Sequence, residues 1–401
     1  MTQMVIISLI KNKASVRNKF NFRNILLRFK GLFSIGISDI IGSGISALFW
    51  LYVATLLEVE SYGEIFYLLA IANMATTISL IGTKYAMPVY VPKNIKLEST
   101  IFLIVIISGS IASLITLLIF RNAGLSLYVF GGAIFILGTS EILAKKLYTD
   151  YLKYLLVHKA LTVALAIGLY QWLGVEGIIL GLAFAFFAYI TIIIKTLKVI
   201  KIDFSLLRPR LGFLMNSYAM DMIVTSSRQI DKLIIAPLLG LAILANYQLG
   251  IQFISIFQLL PMIILKYTLP HDAAGNPNKN LKIATILVSF CFTILIILLA
   301  PLVIPIFFQK FTNVIEVTQI LSLSLVPASV TTAYSSKFLG KENSKITLID
   351  TLLLLVSYIV SILIIGTTFG VVGVAIAYVI SLTIPTIFLI IVDLKNKISK
   401  S

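Results

Sequence analysis

Charge is what this sequence has least of. Asp, Glu, Lys and Arg make up 12% of its 401 residues, against 59% apolar residues. Soluble domains carry about a quarter charged residues and about half apolar ones, so water is the wrong solvent for this chain. A bilayer, unlike water, leaves apolar surface nothing to hide from. Cysteine is almost absent too, and the single Cys291 excludes an intrachain disulfide. Two histidines, His158 and His271, stand far apart in the chain, so no metal site is expected. Acidic residues number 16 against 32 basic ones, a formal charge of +16. Such an excess points to nucleic acid where it forms a continuous basic face. Here the basic residues gather at alternate ends of apolar segments, and nucleic acid is not an expected partner.

A spanning helix needs about 20 mostly apolar residues. Twelve stretches qualify, starting near Ser34, Tyr62, Thr100, Leu125, Leu152, Val175, Leu211, Tyr247, Leu281, Val314, Thr347 and Val371. Of the 32 Lys and Arg residues, 28 fall at the two ends of the chain or in the even-numbered loops. Those loops include Lys84, Lys93 and Lys96, then Lys145, Lys146, Lys153 and Lys159, then Lys195 to Arg210. Only Arg121, Arg228, Lys232 and Lys310 fall elsewhere. Lys and Arg are retained on the cytoplasmic side, and a wrong span count would scramble this parity. The expected fold is an all-α polytopic membrane protein of about 12 transmembrane helices. It is multi-pass in a prokaryotic plasma membrane, with N- and C-termini cytoplasmic.

The domain organisation expected is a basic cytoplasmic segment 1–32, a six-helix lobe 33–205, a second six-helix lobe 206–394 and a cytoplasmic tail 395–401. Met4 to Ile10 is a short apolar run lying before the basic cluster, the reverse of a cleavable signal. Seven Lys or Arg residues from Lys11 to Lys30 alternate with Val16, Phe20, Phe22, Ile25, Leu26 and Phe29. That spacing fits an amphipathic helix on the inner leaflet, and equally a partly disordered tail.

The two lobes carry an internal repeat. One offset of 182 residues takes Ala54-Thr-Leu-Leu onto Ala236-Pro-Leu-Leu and Asp39 onto Asp221. Later, Gly174-Val-Glu-Gly177 matches Gly370-Val-Val-Gly373 at an offset of 196, the drift being loop insertion. Six spans per half make the repeats parallel, related by an axis along the membrane normal. Two such bundles flank a central cavity and rock between inward- and outward-open states.

Span 7 carries the densest polar pattern. Ser217, Asp221, Thr225, Arg228 and Lys232 are spaced by three or four residues, which puts them on one helical face. Ionisable groups cost several kcal/mol in lipid, so this face should look onto protein or a water-filled cavity. Arg228 and Lys232 suit an anionic head group such as a pyrophosphate, with Thr225 beside them. An internal Arg228–Asp231 pair accounts for the same residues. The offset of 182 places Asp39, Ser43, Ser46 and Trp50 on the equivalent face of span 1, with a carboxylate and hydroxyls but no cation. Asp39 and Asp221, with Asp231 and Asp350, are candidates for coupling to Na⁺ or H⁺, or else are carboxylates satisfied by neighbouring hydroxyls.

Several chemical classes are excluded. Gly42-Ser-Gly44-Ile-Ser-Ala47 lacks the strand and crossover of a dinucleotide site, and small residues there serve helix packing. No phosphate-binding loop for ATP exists, and no nucleophile triad, metal cluster or carboxylate pair supports catalysis. The chain is not expected to be an enzyme, and no cofactor is expected beyond a coupling Na⁺ or H⁺. Pro237, Pro261, Pro327 and Pro385 inside spans are candidate kinks.

Arg228-Gln-Ile-Asp231-Lys232, then Leu239-Gly240 and Ala245-Asn-Tyr247, resembles span 7 of polysaccharide flippases of the multidrug/oligosaccharidyl-lipid/polysaccharide transporter superfamily. Glu60-Ser-Tyr62-Gly63, Gly82-Thr-Lys84-Tyr, Lys337-Phe-Leu-Gly340-Lys341-Glu and Gly370 to Ser381 are similar to its other landmarks. The resemblance runs from about Ser34 to Val392. Ala245 stands where the family often has Gly, and span 1 lacks the Arg residues that some members carry. The resemblance implies a flippase moving polyprenyl-linked oligosaccharide to the outer face. Its implied partners are lipid-linked oligosaccharide, membrane lipids and glycosyltransferases of the same pathway. A multidrug and toxin extrusion antiporter is the alternative, favoured by a cavity with excess carboxylates. A membrane glycosyltransferase or polymerase would need larger external loops.

Overall fold

The computed structural model describes residues 22–199, 201–273, 275–341 and 343–398. The first lobe consists of α1 (Phe22–Leu56), α2 (Val59–Leu80), α3 (Glu98–Phe120), α4 (Ala123–Ala144), α5 (Tyr148–Leu173) and α6. Helix α6 starts as Val175–Phe186, tightens over Phe187–Tyr189 and ends as Ile190–Val199. The second lobe comprises α7 (Leu211–Leu239), α8 (Leu241–Ala273), α9 (Lys279–Phe307), α10, α11 and α12. Helix α10 is broken into Val314–Ser322 and Leu325–Gly340, α11 is Ser344–Ser361 with a π turn at Ile362–Gly366, and α12 is Thr367–Ile398. Helices satisfy every interior backbone donor and acceptor within the segment, which lipid demands. Side chains finish the ends where they can. Asn122 accepts from the Leu125 amide at 2.8 Å to start α4, and Asn278 accepts from the Leu281 amide at 3.0 Å to start α9.

Among the described residues, twelve long helices run antiparallel in sequence, as the sequence implies. By length and composition alone, ten stretches of the described residues can cross a membrane. The difference has two causes. Helix α7 is too charged to qualify, holding Asp221, Arg228, Asp231 and Lys232. Helices α11 and α12 count as one stretch, Lys345–Lys395, although the chain turns back at Gly370.

Of the expected basic segment, residues 1–21 lie outside the described residues. From Phe22 the backbone runs unbroken into α1, so the first helix starts ahead of Ser34.

The sequence repeat is visible in the backbone. Gly174 opens α6 at φ 62°, ψ −139°, and Gly370 opens the body of α12 at φ 57°, ψ −134°. Both are conformations that a residue with a Cβ resists. Three residues on, Gly177 lies against the carbonyl of Leu169, and Gly373 lies against that of Ile365. The offset that relates the glycines relates the carbonyls too.

Each lobe has its own apolar core, around Ile101, Leu137 and Tyr189 in the first and around Ile235, Tyr247 and Val374 in the second. A third core is shared: Phe49, Val53 and Tyr62 of the first lobe pack on Phe308, Phe311 and Val314 of the second. There the Tyr62 and Phe311 rings meet edge to face at 5.7 Å. This shared core closes the far end of the bundle, opposite the termini. Outside, α3, α9 and α11 present Leu118, Ile119, Leu298, Leu302, Ile306 and Ile364, each more than half exposed. A surface this apolar suits lipid.

Candidate functional site

The lobes meet along two seams. Helix α2 runs down α7 and against the start of α8, because Gly63 lets it approach the Leu241 carbonyl at the head of α8 and Gly82, just beyond its end, lets the chain approach that of Leu214 on α7. Thr77 donates to Thr225 at 3.2 Å across this seam, and Lys84 reaches Asp221 at 2.6 Å. The other seam, between α1 and α8, is looser. It holds a cleft of ≈ 400 Å³ lined by Asp39, Ser43 and Ser46, by Lys159 of α5, and by Gln252 and Ser255 of α8. Beside the cleft, each lobe encloses a cavity of its own, ≈ 290 Å³ in the first and ≈ 490 Å³ in the second.

These two cavities are the same place in the two repeats. The offset of 182 takes Ile45, Ser46, Phe49 and Trp50 of the first cavity onto Ser227, Arg228, Asp231 and Lys232 of the second. The offset of 196 takes His158 and Thr162 onto Leu354 and Tyr358, and Leu182 and Phe186 onto Tyr378 and Leu382. Geometry is shared while chemistry has diverged. The first cavity is aromatic, and its Trp50 ring lies 4.6 Å from that of Phe66. The second carries charge.

In the second cavity, the Lys232 ammonium donates to both Asp231 oxygens at 2.9 and 3.1 Å and to the Arg228 carbonyl at 3.0 Å. Tyr247 donates to the other side of Asp231 at 3.3 Å and shares a hydrogen bond with Tyr358. Asp231 is therefore taken by Lys232 and not by Arg228. The Arg228 guanidinium is exposed on the cavity, with no carboxylate at ion-pair distance among the described residues. Asp350 lies across the same cavity at 5% exposure, and its Oδ1 has no hydrogen-bond partner. No cluster of three or more metal-ligating side chains occurs among the described residues.

The span-7 stripe is thus divided between two jobs. At 100° per residue, Asp221, Thr225, Arg228 and Lys232 follow one line that drifts slowly round the helix. Its lower part, Asp221 and Thr225, faces α2 and the strap after it, while Arg228 and Lys232 reach the second cavity. Asp39 lies on the cleft and accepts from the Tyr151 hydroxyl at 2.8 Å. Ser43 lines the cleft, Ser46 lines cleft and first cavity together, and Trp50 lines the first cavity.

Sequence reading missed Lys159. It counts among the loop lysines by parity, yet the structure places it well inside α5, donating to Ser46 Oγ at 2.6 Å. The first lobe's cation comes from α5, not from α1. The signal was present in the apolar run from Ala160 onward, which Tyr148 to Val157 extends backward as helix.

Two parallel six-helix lobes around a cleft, each with a side cavity, define a two-lobed helical membrane bundle. Its fold is shared with transporters of the MOP superfamily. Over 88% of this chain it superimposes on 86% of the lipid II flippase MurJ in an inward closed conformation, with a TM-score of 0.73 and 14% identity. A multidrug resistance MATE transporter in its inward-facing conformation matches 89% of this chain and 96% of its own, with a TM-score of 0.64 and 16% identity. A MOP superfamily transporter from Pyrococcus furiosus, described as having a binding pocket of reversed polarity, matches 90% of this chain and 94% of its own at 0.58 and 16%. No family model matches the chain, and no curated protein matches it in sequence.

Proposed function

We propose that this protein is a flippase. It carries polyprenyl-(pyro)phosphate-linked oligosaccharide from the cytoplasmic to the outer leaflet of a prokaryotic plasma membrane, for cell-surface polysaccharide or glycan biosynthesis. The observation that carries this reading is the unpaired Arg228 guanidinium on the second cavity, next to an Asp231 already neutralised by Lys232. A guanidinium that lines a cavity within a membrane bundle, with no carboxylate at ion-pair distance, is free to take an anion, and its planar donor fork matches a phosphate. Transport follows by alternating access. The shared core at the far end is closed, the α1–α8 cleft admits the lipid, and rocking of the lobes carries the head group across. Glycosyltransferases of the same pathway would supply the substrate.

Coupling to Na⁺ or H⁺ is assigned to Asp350 on the second cavity, where Asp231 is already held by Lys232. Asp39 and Asp221 are already engaged with Tyr151 and Lys84. The unpartnered Asp350 Oδ1 also supports the alternative, a cation-coupled multidrug and toxin extrusion antiporter. The test uses proteoliposomes carrying a labelled polyprenyl-diphosphate oligosaccharide and an impermeant enzyme that attacks only the exposed leaflet. Wild type should flip the lipid, and Arg228→Ala should lose about tenfold or more of the rate. Vesicles that leave the lipid in place but exchange organic cations for Na⁺ or H⁺ would replace the flippase with the antiporter.

A further inference from the structure

The two repeats differ in where their cation comes from. Arg228 projects from α7, and the equivalent position on α1 is Ser46, which cannot carry charge. Lys159 from α5 fills that role: its ammonium reaches across and donates to Ser46 Oγ at 2.6 Å. Several lysines near helix ends hold a carboxylate, among them Lys84, Lys145, Lys282 and Lys337. Lys159 does not: no carboxylate lies within ion-pair distance among the described residues. Asp39 lines the same cleft, with its Oδ1 occupied by the Tyr151 hydroxyl at 2.8 Å.

Position adds a second observation. Lys159 and Ser46 are the side chains common to the cleft and the first cavity, so they stand at the doorway between them. Beyond the doorway, His158 is 5% exposed and its Nδ1 has no hydrogen-bond partner. The cavity there is lined by Trp50, Tyr128 and Phe186, and none of its lining residues is acidic. An ammonium in low dielectric with one of its three donors on a neutral hydroxyl leaves two for an anion. An imidazole acceptor and aromatic walls behind it suit hydroxyl-bearing rings.

We propose that Lys159, positioned by Ser46, is a second anion-binding residue. It holds a phosphate or diphosphate group at the doorway while the group attached to it enters the aromatic first cavity. This rests on the flippase reading for the natural ligand, and the chemistry itself is that of a phosphate ester or a free diphosphate. Each lobe then offers one unpaired cation at an equivalent place, Lys159 in the first and Arg228 in the second.

Trp50 lies in the first cavity, and the only other tryptophan, Trp172, is 86% exposed and can be replaced by Phe without touching it. In a Trp172→Phe background in nanodiscs, Trp50 emission is titrated with polyprenyl diphosphate, the matching polyprenyl alcohol, inorganic pyrophosphate and an organic cation dye. The diphosphate should shift the emission, the alcohol should not, and Lys159→Gln should weaken the diphosphate response about tenfold or more. Lys159→Arg should retain most of it, and unchanged Trp50 emission without ligand would show that the variants fold. A Lys159-dependent response to inorganic pyrophosphate alone supports the anion site and assigns it to a soluble anion. Equal diphosphate binding by wild type and Lys159→Gln overturns the role of Lys159 and leaves the flippase standing. A response to the dye alone overturns both.

Discussion

The Lys84 ammonium sits 2.6 Å from Asp221 Oδ1, and the two residues belong to different lobes. Asp221 is buried to 1% exposure, whereas the Lys84 side chain keeps 34%. The pair is therefore asymmetric. Remove Asp221, and Lys84 can turn to water; remove Lys84, and a buried carboxylate is left without its cation. Opening the α2–α7 seam at this end has to break the pair. Lys84→Met should destabilise the closed seam by about 3 kcal/mol, and Asp221→Asn by less. Spin-label distances between α2 and α7 measure the shift. Equal effects from both substitutions would show that the pair contributes as a simple surface bridge.

Higher on the same seam, Thr77 and Thr225 touch through their hydroxyls at 3.2 Å. Two cysteines there come within disulfide reach. In a Cys291→Ala background, Thr77→Cys with Thr225→Cys should cross-link on oxidation and halt transport, and reductant should restore it. Cys291 is exposed on the surface of α9, so its removal costs little. A cross-linked protein that still transports would mean that this seam never opens.

The fold was legible because lipid makes sequence patterns strict. Twelve apolar runs and the glycines at 174 and 370 have a counterpart in the helices and in the backbone angles. The site was legible only in part. The offsets of 182 and 196, taken from a handful of small residues, superimpose one cavity on the other. Pairing was not legible. Asp231 chooses Lys232 over Arg228 because an adjacent lysine can fold back onto it, and spacing along a helix does not decide between them. Lys159 and Lys84 were read as loop charges because parity registers which end a lysine is near, not which way its side chain turns.

Gly370 and Gly174 hold positive φ with ψ near −135°, a region that L residues with a Cβ avoid. Gly373 and Gly177 are restrained differently, by carbonyls that leave no room for a methyl group. Gly373→Ala should lower thermal stability by about 1–3 kcal/mol, the range for overpacking. Gly177→Ala should act alike, because Leu169 stands to it as Ile365 stands to Gly373. Thermal unfolding in detergent or nanodiscs tests this, and a large effect at only one of the two sites would break the equivalence of the lobes there.

Asp350 is a carboxylate to which folding offers little. It is 5% exposed, its Oδ1 lacks a partner, and it faces a cavity that also holds the Asp231–Lys232 pair. A buried polar group without a hydrogen bond costs stability, and more so when charged. If Asp350 serves the fold, Asp350→Asn should melt lower. If it serves an ion, the same substitution should raise the stability of the ion-free protein by about 1 kcal/mol. It should also abolish any stabilisation by Na⁺, because a ligand that binds only the native state raises stability in proportion to its occupancy. The measurement is thermal unfolding of wild type and Asp350→Asn in NaCl against choline chloride, repeated at several pH values. The expected outcome is a wild type that gains stability from Na⁺, or from H⁺ as pH falls, and a variant that gains from neither. A variant less stable than wild type in choline, with its Na⁺ response intact, would remove Asp350 from coupling.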